Sequence, residues 1–398
     1  MKFDPATSLQ DSLGLDVTKG VNQAISDSAT FAFESGEAMT ACFEGEGGGF
    51  LYSRHWNPTN LSFCKALAAM EGTELAWVTG SGMGAITSTI LQICKSGDHI
   101  ISSRTTYGGT YAFMKNWLPN YNIEVTFLDI TDLDAVKAAM KPNTKMIYTE
   151  TMTNPMMQIS DLPSLAEIAH EGVAKLVVDN TFTPMIISPI QHGADVVVYS
   201  MTKFINGKND TTAGAICASE EFINALIDVN DGTAMLLGPV LDPLRSSSIH
   251  KNLFTLHIRM KQHSHNAMYL ATKFQEIGLK AVYAGLENHP GHELMKSMMN
   301  DGYGFGGMVS IDLGDATTAS KFMSKMQEAG VGYLAVSLGY FKTLFSNSGK
   351  STSSEVPEDE QKAMGMSEGL VRYSVGLDND IERTFEIIKH NLEEIGMI

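Results

Sequence analysis

The sequence predicts an α/β fold: a mostly parallel sheet wrapped by helices, followed by a smaller α+β domain. Two patterns carry this reading. Between residues 75 and 200, short apolar runs rich in β-branched residues alternate with helix-length segments, the signature of βαβ units. From about residue 250 that alternation gives way to one long helical pattern and then to separate strand-like runs, as expected for a second domain. A chain of 398 residues holds about two ordinary domains. With 43% hydrophobic and 18% charged residues it can bury a sizeable core.

The first 55 residues contain glycine-rich turns, notably Gly47-Gly48-Gly49, and no alternation long enough for a core strand, so they read as an arm. The large domain then spans 56–252 and the C-terminal domain 253–398. Asn57-Pro58-Thr59 opens a helix, because proline suits a first helical turn and Leu61, Cys64, Leu67 and Met70 follow with helical spacing. The strands expected next are Ala76–Val78, Ile100–Ile101, Val125–Leu128, Met146–Tyr148, Leu176–Val178 and Val196–Tyr199, with a helix through Leu91 after the first. Runs this uniformly apolar fit strands covered on both faces. In the second domain a long helix is expected around Leu253–Phe274, with strands at Met308–Leu313, Leu334–Val336 and Val371–Val375. The serine-rich stretch from Ser346 to Glu358 reads as a mobile surface loop, and no internal repeat is evident.

Composition excludes some functions. With 28 basic and 45 acidic residues the net charge is −17, without a lysine–arginine run, which argues against a nucleic-acid partner. No stretch approaches the roughly 18 apolar residues of a membrane span, and the opening twenty residues lack a basic-then-apolar signal pattern. A cytoplasmic protein that does not engage membranes is expected. Cys42, Cys64, Cys94 and Cys217 show neither metal-ligand nor disulfide spacing and are expected as buried free thiols, and the histidines suggest no metal site.

Three local patterns could carry chemistry. Thr79-Gly80-Ser81-Gly82-Met83-Gly84 lies between a strand and a helix, where backbone N–H groups can face an anion such as phosphate; such turns also serve packing. Lys175–Asp179 is an apolar strand ending in a carboxylate, at the edge where open α/β sheets bind ligands, although a capping role is equally open. Val196–Ser200 runs directly into Met201-Thr202-Lys203, giving an amine suited to a carbonyl beside hydroxyls suited to phosphate, unless it is a surface lysine. Lys208 follows in a polar turn with no buried strand behind it and is the weaker choice. An amine, an acid and a phosphate turn together match the needs of pyridoxal 5′-phosphate.

The chain resembles the Cys/Met-metabolism family of pyridoxal-phosphate enzymes over nearly its whole length. The resemblance rests on Tyr52-Ser53-Arg54 with Asn57-Pro58-Thr59, Ser81-Gly82-Met83-Gly84, Val178-Asp179-Asn180-Thr181, Ser200–Lys203, Ser337-Leu338-Gly339 and Val371–Leu377. It implies the fold-type I architecture of pyridoxal-phosphate-dependent transferases, with Lys203 binding the cofactor and Asp179 pairing with its ring nitrogen. Backbone groups of Gly82 and Met83 in the Ser81 turn, with Ser200 and Thr202, would hold the phosphate. Tyr52 and Arg54 would reach it from a neighbouring subunit, implying a homo-oligomer, a tetramer of two catalytic dimers. Tyr107 would stack on the ring and serve the leaving group, while Arg372 and Ser337 would bind the carboxylate of an amino-acid substrate.

The family includes methionine γ-lyase, cystathionine γ-lyase, cystathionine γ-synthase and the O-acetyl- and O-succinylhomoserine sulfhydrylases. Val336 stands where relatives acting on cystathionine usually carry glutamate, which favours a methyl thioether over a second zwitterion. Glu368–Arg372 also resembles methionine γ-lyases. Gly109, by contrast, follows the cystathionine enzymes, and Tyr340-Phe341-Lys342 departs from common family forms. The resemblance therefore favours a carbon–sulfur lyase performing α,γ-elimination on methionine or related sulfur amino acids, with cystathionine γ-lyase or a γ-replacement enzyme as the alternative. A nicotinamide dehydrogenase is disfavoured because no acidic residue follows the glycine turn at the required place. A protein retaining only the fold is disfavoured by the intact Lys203, Asp179 and Arg372.

Overall fold

The apolar runs of the first half become seven strands: β1 Leu75–Thr79, β2 His99–Ser103, β3 Glu124–Leu128, β4 Thr144–Glu150, β5 Lys175–Asp179, β6 Val196–Ser200 and β7 Gly214–Ala218. This architecture comes from a computed structural model, which describes residues 2–14, 19–46, 48–347, 361 and 366–398. The sheet order is β1-β7-β6-β5-β4-β2-β3; β7 runs antiparallel to both its neighbours and the other pairings are parallel. Alternate residues enter different cores. Ile101, Ile147, Val178 and Val197 face one side, while Ile100, Met146, Val177, Val196 and Val198 face the other. Both sides are covered, so both residue parities are mostly apolar, and buried polar strand residues such as His99 and Thr149 are hydrogen-bonded.

Strand β7 was not expected from the sequence. Gly214-Ala215-Ile216-Cys217-Ala218 offers little β-branched bulk, yet small residues are required there: a Cβ on Gly214 would lie 2.2 Å from the Ser81 carbonyl oxygen.

Helices explain the rest of the layer. Helix α1, Pro5–Ser12, and α2, Gly36–Phe43, fall in the segment read as an arm without elements. Asp4 caps α1, whose Pro5 and Leu9 are buried, and α1 packs on α3, Pro58–Glu71. As expected from Asn57-Pro58, the Asn57 carboxamide caps α3. Helix α4, Gly82–Ile93, begins at the glycine turn, with Ile86 and Ile90 buried.

The second sheet has five strands: β8 Lys280–Val282, β9 Met308–Asp312, β10 Gly332–Leu334, β11 Thr343–Asn347 and β12 Leu370–Ser374, in the order β10-β11-β12-β9-β8. Strands β8 and β11 were not anticipated. Ser346 belongs to β11, correcting its assignment to a loop; positions 348–358 of that stretch lie outside the described residues. The long helix is Leu256–Glu276, preceded by a separate helix, Pro243–Leu253, whose Asp242 cap sets its own start. Among the described residues no helix is long and apolar enough to cross a membrane. Cys64, Cys94 and Cys217 are buried free thiols, whereas Cys42 is half-buried.

Candidate active site

Parallel strands place their carboxyl ends at one edge, and the second sheet closes over that edge. A cavity of about 360 Å³ results, within the size range of small-molecule sites. Glu150 ends β4 and Asp179 ends β5, and the two are direct register partners, so their carboxylates come together. Ser200 ends β6, and the tight turn after it places Lys203 in the cavity. Arg372, on β12, and Ser337, in the connection between β10 and β11, enter from the side of the second sheet.

The Lys203 amine donates to Ser337 Oγ at 3.0 Å, and that hydroxyl donates to Asn209 Oδ1 at 3.2 Å. Burial, reinforced by the Arg372 charge, pushes the Lys203 ammonium down to about 8, against the opposing pull of Asp179. Asp179 is itself raised by burial, although the Thr181 amide donates to its Oδ1 at 2.9 Å. Ser337 has a φ of 92°, costly for a residue with a side chain. It is held by the Lys203 contact and by Arg372 Nη2, which donates to its carbonyl at 3.3 Å.

Arg372 is buried, and its Nη1 donates to Asn154 Oδ1 at 2.8 Å. Both of these acceptors are uncharged, so the guanidinium suits an incoming carboxylate. Asn154 is held in turn: its backbone N–H donates to Glu150 Oε2 at 2.8 Å, and the Tyr107 backbone N–H donates to Oε1 at 2.6 Å. Glu150 is pushed up by burial and then by the nearby Asp179 charge.

At the opposite wall Ser81 caps α4, accepting from the Gly84 amide at 3.0 Å. Gly82 and Met83 occupy the first helical positions, whose N–H groups have no intrahelical acceptor. A Cβ on Gly82 would lie 2.7 Å from the Ser200 Cβ, so only glycine permits this approach. The helix end therefore stands against Ser200, and the Thr202 hydroxyl lines the same cavity, a set of groups suited to a phosphate. A half-buried amine of lowered affinity for protons, a buried carboxylate and this cradle all open onto one cavity. Pyridoxal 5′-phosphate fits these residues: aldehyde to amine, ring nitrogen to acid, phosphate to cradle.

Of the residues expected from sequence, Ser81, Gly82, Met83, Tyr107, Asp179, Ser200, Thr202, Lys203, Ser337 and Arg372 line this cavity. Tyr52 and Arg54 do not. The Arg54 guanidinium lies 5.7 Å from the Tyr52 ring centre and donates to the Met235 carbonyl at 3.0 Å. Lys208 is exposed. Glu150, Met152 and Asn154 were not singled out from sequence, and Thr181 stood in the Val178–Thr181 motif without a role of its own. For Glu150 the signal was available: like the strand before Asp179, its strand is an apolar run ending in a carboxylate.

The fold and this site define a pyridoxal-phosphate-dependent enzyme of fold type I. Residues 9–389 match the family described as Cys/Met metabolism PLP-dependent enzyme, and the chain belongs to that family. It is 44% identical over 371 residues to methionine gamma-lyase of Arabidopsis thaliana, covering 92% of this chain and 84% of that one. It is 40% identical over 376 residues to L-methionine gamma-lyase of Fusobacterium nucleatum subsp. polymorphum, covering 93% of each. Its structure resembles that of a Campylobacter jejuni protein described as an O-acetylhomoserine (thiol)-lyase, with a TM-score of 0.90, 26% identity, and coverage of 98% of this chain and 100% of the other. That protein carries N′-pyridoxyl-lysine-5′-monophosphate.

Proposed function

We propose that the protein is a carbon–sulfur lyase that converts L-methionine and water to 2-oxobutanoate, ammonia and methanethiol. The observation that carries this reading is the cavity wall. Besides the polar groups described above and Thr212, whose hydroxyl donates to the Gly80 carbonyl, it is made of Met83, Ile86, Met152, Phe182, Val336 and Leu338. This lining suits a methyl thioether; a distal ammonium would lose solvation there without a partner.

Lys203, Asp179 and the α4 cradle would hold pyridoxal 5′-phosphate, with Tyr107 against the ring. The bound cofactor supplies an electron sink for charge developing on the substrate. Arg372 binds the substrate carboxylate and fixes the Cα–H bond toward Lys203. The Lys203 amine, of lowered proton affinity, takes the α-proton. The Tyr107 hydroxyl donates a proton to the departing sulfur. Residues 56–252 form the cofactor-binding domain and 253–398 the second domain. Residues 1–55 include the arm whose Tyr52 and Arg54 complete a neighbouring subunit's phosphate site. Exposed Tyr52, Leu236 and Leu237 support such a dimer, and the full assembly is read as a cytoplasmic tetramer of two dimers.

A γ-replacement reaction is the second reading, favoured by the likeness to the Campylobacter jejuni thiol-lyase and by Gly109 beside Tyr107. Purified enzyme incubated separately with methionine, cystathionine, and O-acetylhomoserine plus sulfide distinguishes them. The expected result is 2-oxobutanoate and ammonia from methionine without added thiol. Homocysteine from the ester and sulfide, with no keto acid from methionine, would overturn the proposal.

A further inference from the structure

Behind the cofactor edge lies a buried polar chain that the reaction above does not use. The Asn180 side chain fills all four of its hydrogen-bonding positions. Its Nδ2 donates to the Ile187 carbonyl at 2.8 Å and to Tyr199 OH at 2.9 Å. Its Oδ1 accepts from the Thr151 hydroxyl at 2.8 Å and the Thr183 hydroxyl at 2.6 Å. Thr151 reaches the same turn twice, because its backbone N–H donates to the Asp179 carbonyl at 3.0 Å. The Tyr199 hydroxyl donates to Glu71, the last residue of α3, and Glu71 Oε1 accepts from the Ile190 amide at 3.3 Å.

Every member of this chain is buried: Glu71 is 1% exposed, Tyr199 1% and Asn180 0%. A carboxyl here is expensive. Burial pushes Glu71 up to about 8, and its named partners are uncharged donors. An apolar residue in its place would fill the core without that desolvation penalty. The geometry gives the carboxyl a task, since it fixes Tyr199, which fixes one of the two Asn180 N–H bonds, and Asn180 follows Asp179 directly.

We propose that Glu71, Tyr199 and Asn180 are positioning residues: together they hold the turn that aims Asp179, and so set how firmly Asp179 engages the ring nitrogen of pyridoxal 5′-phosphate. This rests on the assignment of Asp179 to that nitrogen. None of the three is a catalytic residue, because they act through Asp179.

Apoenzyme of Tyr199→Phe, Glu71→Gln and Asp179→Asn, each checked for folding by circular dichroism, is titrated with pyridoxal 5′-phosphate. Dissociation constants, the pH midpoint of the bound chromophore, kcat and KM are then measured. Tyr199→Phe removes one link, and its dissociation constant is expected to rise about tenfold, with a displaced chromophore midpoint and a lower kcat at nearly constant KM. Glu71→Gln keeps an acceptor oxygen for the phenol and is expected within about threefold of the parent. A Tyr199→Phe protein that loses thermal stability but keeps the parent dissociation constant and midpoint would overturn the proposal. If Asp179→Asn also binds with parent affinity, the Asp179 assignment fails instead. Should Tyr199→Phe not fold, Thr183→Val, which removes one contact at Asn180, is read in the same titration. A parent-like constant there, or failure of both variants to fold, contradicts a positioning role.

Discussion

At position 203 two electrostatic effects oppose each other. Burial and the Arg372 charge destabilise the ammonium, while Asp179 stabilises it, and the first pair prevails, leaving the group at about 8 against an ordinary 10.5. Only the neutral amine attacks an aldehyde, and a lowered value means that the neutral form dominates above about pH 8. Capture of pyridoxal 5′-phosphate by the apoenzyme should therefore accelerate as pH rises and level off above about 8, as followed by stopped-flow absorbance. A rate still climbing steeply at pH 10 would show an ordinary lysine. At this scale much was legible. Lys203 and Asp179 each follow an apolar run, so their burial could be inferred from their neighbours. Asn154 and Thr181 could not be found that way, because they sit in loops whose path depends on tertiary contacts rather than on any periodic pattern.

The β1–α4 turn shows how an element positions chemistry. Ser81 fixes the first turn by capping it, and Gly82 lets the helix end stand against the end of β6. A methyl group at position 82 would have to displace Ser200, moving the cradle as a unit. Gly82→Ala is expected to weaken pyridoxal 5′-phosphate binding by tenfold or more in equilibrium dialysis, and to cost about 1–3 kcal/mol in urea unfolding. Parent-like binding would show that α4 does not form the cradle. The turn was readable from its glycines, as were the six strands with β-branched cores. Strand β7 was hidden because its fit requires Gly214 and the strand also contains Ala215 and Ala218, residues of low strand propensity that a single sequence does not flag. Strands β8 and β11 were missed for a related reason: β8 has three residues, and β11, Thr343-Leu344-Phe345-Ser346-Asn347, ends in polar residues.

Across the whole molecule, the site exists only where two sheets meet. Asp179 and Lys203 come from the seven-stranded sheet, Ser337 and Arg372 from the region of the five-stranded one, and the Arg372–Asn154 bond joins them. A second tie lies beneath. Arg259, on the helix Leu256–Glu276, donates to the Phe204 carbonyl, to the Ile205 carbonyl at 2.9 Å and to the Asn252 carbonyl at 2.9 Å. The turn carrying Lys203 is thus held by a guanidinium from that helix. The sequence pattern could not show that the junction of the two sheets builds the cavity, because residues such as Asn154 and Arg372 are 218 positions apart. On the proposed function, this junction presents the Lys203 amine to the aldehyde of pyridoxal 5′-phosphate. Borohydride reduction of the purified holoenzyme, followed by proteolysis and mass spectrometry, tests it directly. A pyridoxyl-phosphate label is expected on the peptide containing Lys203 and at that residue; a label on Lys208 or any other lysine, or none from a yellow protein, would rule the assignment out.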